Sequence, residues 1–180
     1  MSTNDDSLHS AGVTESLPAL RVLDIVSGTS VDGPGLRTSI YFAGCHHACP
    51  GCHHPQSHDP KGGYPITVGN LLDKITVNDE NVTFSGGDPL YQPVAPLIAL
   101  ADSLHSRGYD IWCYTGFIYE DICNNPLLRH IDVLVDGPFI ESLRDTSLIF
   151  RGSSNQRIID LNKTFSSADY RSPVLWEPDF

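Results

Sequence analysis

From residue 36 onward the chain alternates short apolar runs of two periodicities. LRTSIYFAG (36–44) is rich in β-branched and aromatic residues and predicts a strand. Residues 53–66, HHPQSHDPKGGYPI, are crowded with Pro, Gly and Asp and predict a loop. TVGNLLDKITV (67–77) predicts a helix with Thr67 as its N-cap. NVTFSGGDP (81–89) predicts a short strand broken by two glycines. Over 93–107 the residues Val94, Leu97, Ile98, Ala101 and Leu104 recur at helical spacing, and Gly108 supplies a stop. YDIWCYTG (109–116) predicts a strand, FIYEDICN (117–124) a short helix and HIDVLVDGPF (130–139) a strand ending in a turn. QRIIDL (156–161) predicts a last strand, and SPVLWEPDF (172–180) has no clear period.

This alternation predicts an α/β fold of parallel units with right-handed crossovers. About five strands are too few for a closed eight-stranded barrel. The expectation is an open, partly curled sheet, one domain over 19–180 behind a loosely ordered tail over 1–18. In such sheets chemistry gathers beyond the carboxyl ends of the strands. The cysteine-rich segment, the glycine pair and DGPF each follow a predicted strand, so they should meet at one rim.

Composition narrows the possibilities. A length of 180 residues suits one core and is short for two. The net charge of −11, from 22 acids against 11 bases, excludes a broad nucleic-acid face, which needs clustered Lys and Arg. No run approaches the roughly 18 apolar residues of a membrane span. The first residues are polar and acidic, unlike a secretory signal. Five cysteines, an odd number, without such a signal point to a reducing compartment, the cytoplasm. Cys113 and Cys123 read as buried, inert thiols.

GCHHACPGCHHP (44–55) carries three cysteines and four histidines. The C-x3-C-x2-C spacing at Cys45, Cys49 and Cys52 admits two metal sites. One is a Cys3His zinc site completed by His46, His47, His53, His54 or His58. The other is a [4Fe–4S] cluster with three irons held and the fourth open to a ligand. Zinc ligands usually come as separated pairs, and no second pair follows here, which favours the cluster. SGGDP (85–89), taken alone, is a turn.

Together, the C-x3-C-x2-C loop after one strand and SGGDP after the next resemble the radical S-adenosylmethionine family. SGTSVDGPGLRTSIYFAGC (27–45) is similar to the segment before the first cysteine in its glycyl-radical activating enzymes. DVLVDGPF (132–139) and FRGSSNQRIIDL (150–161) resemble the branch whose partner is the anaerobic ribonucleoside-triphosphate reductase. The resemblance implies an open partial (β/α) barrel and one [4Fe–4S] cluster on Cys45, Cys49 and Cys52. It implies S-adenosylmethionine as cofactor, its methionyl end lined by Gly86, Gly87 and Asp88. The activity implied is reductive cleavage of that cofactor to a 5′-deoxyadenosyl radical, which makes a glycyl radical on the reductase. A small reducing protein such as a flavodoxin or ferredoxin is the implied electron donor, with no nucleic-acid or membrane partner.

The chain departs from its relatives in places. His53 and His54 stand where many carry an aromatic residue and Asn, and Asp88 stands where many carry Glu. Two readings remain beside the main one: an activator of another glycyl-radical enzyme, of the pyruvate formate-lyase type, and a zinc-stabilised interaction module. Arg37, Arg151 and Arg157 are candidates for partner or carboxylate contacts, or for structural ion pairs. Asp32 and Asp136 are turn-makers or functional acids, and the loop histidines are expected to be solvated.

Overall fold

The computed structural model describes residues 17–75 and 78–178. Nearly all of the predicted tail, residues 1–16, lies outside the described residues. The described part holds strands β1 (Leu20–Thr29), β2 (Arg37–Phe42), β3 (Tyr64–Ile66), β4 (Asn81–Gly86), β5 (Ile111–Tyr114), β6 (Val133–Asp136) and β7 (Arg157–Asp160). Its helices are α1 (Val68–Ile75), α2 (Val94–His105), α3 (Tyr119–Ile122) and α4 (Leu161–Ser166). The strands form one seven-stranded sheet in the order β3-β1-β2-β4-β5-β6-β7.

The central pairs β2–β4, β4–β5 and β5–β6 are parallel, as the alternation of elements predicts. The flanks are not. β1 runs antiparallel to β2 and β3, and β7 runs antiparallel to β6, which corrects the all-parallel expectation. β1 and β3 also fall outside the predicted elements. The outer half of β1 is polar and largely exposed, so it lacks a continuous apolar face. β3 is three residues containing a proline, paired through β1 alone, a pattern confined to sheet edges.

Side-chain alternation along each strand divides the sheet into two faces. Ile40, Phe42, Val82, Phe84, Ile111 and Leu134 point one way and pack against α1 and α2 in the main core. Cys113 belongs to that core and is fully buried. Thr67 accepts a hydrogen bond from the Asn70 N–H at 3.4 Å, as expected of an N-cap for α1. The opposite face carries a smaller cluster of Trp112, Val133 and Val135 with Phe150 and Trp176.

Arg37 also lies on that second face, fully buried. Its Nε donates to Thr83 Oγ1 at 2.8 Å, and its Nη2 to the carbonyls of Val82 at 2.8 Å and Asp110 at 3.1 Å. Nη1 meets Asp110 Oδ1 at 2.6 Å, and the guanidinium sits 5.6 Å from the Trp112 ring. A buried cation is tolerated only when its donors are filled in this way. Gly33 passes so close that a Cβ there would lie 2.8 Å from Arg37 Cδ, which accounts for a glycine in VDGPG. Arg37 is therefore a structural pair rather than a partner contact.

Arg37→Met strips these partners of their donors and should cost about 2–3 kcal/mol, Asp110 being partly exposed. Denaturant unfolding of the metal-free protein measures it. A loss under about 1 kcal/mol would show that the network is not holding the strands.

Candidate metal centre

The cysteine segment leaves β2 at the carboxyl end of the parallel strands, and backbone hydrogen bonds fold it back. Ala43 N–H donates to Arg21 O at 3.0 Å and Gly44 N–H to Ser57 O at 2.8 Å. Cys52 N–H closes a turn on Cys49 O at 3.1 Å. The neighbouring strand end is locked onto the same segment, Gly87 N–H donating to Phe42 O and Asp88 N–H to Gly44 O, both at 2.8 Å.

These approaches require the glycine pair. Gly86 has φ of +103°, and a Cβ there would strike the Phe42 backbone. A Cβ on Gly87 would lie 2.8 Å from Ser57 O and closer still to Gly44 O. The pair is thus needed for two backbones to touch, before any ligand is considered.

Cys45, Cys49 and Cys52 are free and partly exposed. All three line one cavity of about 510 Å³, together with Gly86 and Gly87. Burial pushes the Cys45 thiol up, while the backbone N–H groups of His47 and Ala48 at its sulfur act against the shift. Cys113 differs. Complete burial raises its thiol far above the usual range and keeps it inert.

Three thiols on one loop, facing one cavity, suit a cluster that takes one thiolate per iron and leaves an iron open. Among the described residues, no three His, Cys, Asp or Glu side chains gather closely enough to hold a single metal ion.

Asp88 is placed differently from the glycines beside it. It is 1% exposed and does not line the cavity. Its oxygens accept from the Leu90 N–H at 2.9 Å, the Gly116 N–H at 3.1 Å and the Thr115 hydroxyl at 2.9 and 3.1 Å. A fourth donor is His47 Nε2, 3.0 Å from Oδ2. The carboxylate is filled by protein groups and acts from behind the cavity wall.

His47 also departs from the solvated-loop expectation. Its side chain is 18% exposed, and its ring meets Phe117 edge-on at 4.5 Å. His46, His53 and His54 are exposed, yet each rests on an aromatic ring, respectively Tyr91, Phe139 and Tyr41. The sequence signal was the set of aromatic residues at strand ends, whose partners only the fold reveals.

The remaining candidates sort by environment. Arg157 bridges Asp136 at 2.5 Å and Glu120 at 2.7 Å, and Asp136 also accepts the Tyr119 N–H at 2.8 Å. Both are structural. Asp32 lines the cavity but accepts from the hydroxyls of Ser39 at 2.7 Å and Tyr41 at 2.8 Å. Burial and that carboxylate push the Tyr41 hydroxyl far up, so it remains a donor. Arg151 reaches the cavity wall, its Nη1 on Gln156 O at 2.8 Å. Gln156 in turn binds Gly152 N–H at 2.9 Å and Gly137 O at 3.1 Å, tying FRGSSNQ to DGPF.

Residues 31–159 match the 4Fe-4S single cluster domain family. An anaerobic ribonucleoside-triphosphate reductase-activating protein of Salmonella typhi is 39% identical over 70% of this chain and 89% of its own length. The proteins of that name from Escherichia coli K12 and bacteriophage T4 are 36% and 32% identical, over 70% and 71% of this chain and 89% and 86% of theirs. The chain belongs to this family of activating proteins, built on a 4Fe-4S single cluster domain. The crystal structure of QueE from Escherichia coli aligns at a TM-score of 0.49 with 16% identity, over 61% of this chain and 57% of that one.

Gly87→Ala should force the Gly44–Ser57 backbone away from β4 and destabilise the metal-free protein by about 3 kcal/mol. Thermal unfolding checks this, and an unchanged midpoint would mean the close approach is not required.

Proposed function

We propose that the protein cleaves S-adenosylmethionine reductively at a [4Fe–4S] cluster held by Cys45, Cys49 and Cys52, and installs a glycyl radical on an anaerobic ribonucleoside-triphosphate reductase. The observation that carries this reading is the convergence of three free thiols and the Gly86–Gly87 backbone on one cavity, in a chain of the activating-protein family. When bound, the reduced cluster supplies one electron to the sulfonium, whose C–S bond breaks to methionine and a 5′-deoxyadenosyl radical that takes a hydrogen atom from a backbone glycine of the reductase.

The chain's own residues prepare that event. Gly86 and Gly87 present bare backbone beside the thiols, with room for the methionyl end of the cofactor. Asp88 supports that floor from behind by fixing Thr115 and Gly116. Phe139, Leu148 and Phe150 give the cavity an apolar wall that limits water and stray hydrogen donors.

The sheet reads as an open partial (β/α) barrel of the radical S-adenosylmethionine type, within a single domain over 19–180 behind a tail over 1–18. A flavodoxin or ferredoxin in the cytoplasm supplies the electron. In keeping with that setting, no helix among the described residues is long and apolar enough to cross a membrane.

Anaerobic reconstitution should give about four irons per chain and 5′-deoxyadenosine on reduction with the cofactor present. Ala at Cys45, Cys49 or Cys52 should abolish both, and Cys113→Ala should leave both intact. A glycyl-radical signal by electron paramagnetic resonance should appear with the reductase. The same signal with a pyruvate formate-lyase type enzyme instead would move the protein to that partner. One tightly held zinc and no 5′-deoxyadenosine would sink the reading.

A further inference from the structure

The cysteine loop has little regular structure to hold it. Its backbone takes positive φ at Ala48 (44°) and Gly51 (72°), and the hydrogen bond tying Cys45 N–H to His58 O is long, at 3.4 Å. Between Cys45 and Cys49, His46 rests on the Tyr91 ring and His47 makes a side-chain hydrogen bond, to Asp88.

The His47 ring is held on three sides: Nε2 at Asp88, the edge contact with Phe117, and the backbone of Gly116. A Cβ on Gly116 would lie 2.6 Å from His47 Cγ, so the ring occupies space that only glycine leaves open. Asp88 is itself fixed by Leu90, Thr115 and Gly116. The contact therefore fastens the loop to the ends of β4 and β5 at once.

We infer that His47 is a positioning residue for the cysteine loop, its side chain anchored on Asp88 so that the backbone between Cys45 and Cys49 stays fixed against the ends of β4 and β5. Partners beyond the ligands orient a metal's ligands and tune the site, and a loop held in one place is the first requirement for that. The inference rests on the proposed cluster ligation. It assigns a role to a histidine that neither binds metal nor touches the reacting atoms.

Full-length His47→Ala and His47→Gln test it, because Gln places an amide N–H near the position of Nε2–H. In the metal-free protein, amide hydrogen exchange across 45–49 should quicken at least about tenfold in His47→Ala, the scale of a lost hydrogen bond to a charged acceptor, and recover in His47→Gln. In the reconstituted protein, the electron paramagnetic resonance signature of the reduced cluster and its midpoint potential should shift in His47→Ala. Both should return in His47→Gln. Wild-type exchange together with an unchanged signature in His47→Ala overturns the inference, and so does failure of Gln to restore either arm, which reduces His47 to packing. A wild-type chain that takes up no cluster refutes the functional reading instead, and the exchange arm still decides the anchor.

Discussion

A carboxylate withdrawn from water must fill its acceptor positions with protein donors, and at Asp88 those donors come from three separate stretches of chain. Leu90 lies just beyond it, Thr115 and Gly116 follow β5, and His47 belongs to the cysteine loop. The group that satisfies itself in this way also sets the distance between two strand ends and the cysteine loop. Gly86 and Gly87 make the arrangement possible, since neither position has room for a Cβ against the Phe42, Gly44 and Ser57 backbone. The motif SGGDP is then a joint first, and its bare backbone faces the cavity as a consequence of that joint.

The two faces of the sheet divide the work of stability and chemistry. One face is mainly apolar and buries α1 and α2. The other combines a small aromatic cluster with polar pairs, of which Arg37 with Thr83 and Asp110, and Asp32 with Ser39 and Tyr41, are the most buried. The hydroxyl of Tyr41, a residue that lines the cavity, is engaged by Asp32 rather than free. That property suits radical chemistry, where a stray donor ends the reaction.

Elements with a clean period were legible from the sequence. The segment 93–107 appears as α2, and the apolar runs at 36–44, 81–89 and 109–116 each contain a parallel strand, because one buried face imposes its period on the residues. β1 and β3 were not legible, since an edge with one wet side and a three-residue strand with Pro65 leave no period to read. The three cysteines suggested a metal site through their spacing, and the fold brings all three to one cavity. The surroundings of Asp88 were not legible for a physical reason: its partners Thr115 and Gly116 stand 27 and 28 positions away, and nothing local records that they donate to it. His47 was hidden among neighbours of the same type, and its burial and its bond to Asp88 distinguish it from His46.

The antiparallel direction of β7 has more influence on the site than its position at the sheet edge suggests. β6 ends at the rim where the cysteine loop lies, and an antiparallel successor must begin at that same rim. The connection over 137–156 therefore never leaves the site end of the sheet. It supplies Phe139, Leu148, Phe150 and Arg151 to the cavity wall, and Gln156 and Asn155 pin it back on Gly137 and Pro138. A parallel β7 would have needed a crossover to the far end, carrying FRGSSNQ away from the thiols. The stretches that most resemble the reductase-directed branch, DGPF and FRGSSNQ, are the two ends of this cover. Under the proposed function, a wall at that place would border the opening through which a protein substrate has to present its glycine, so specificity for one partner is expected to reside there, while the cysteine loop and the glycine pair would serve the cluster and cofactor chemistry.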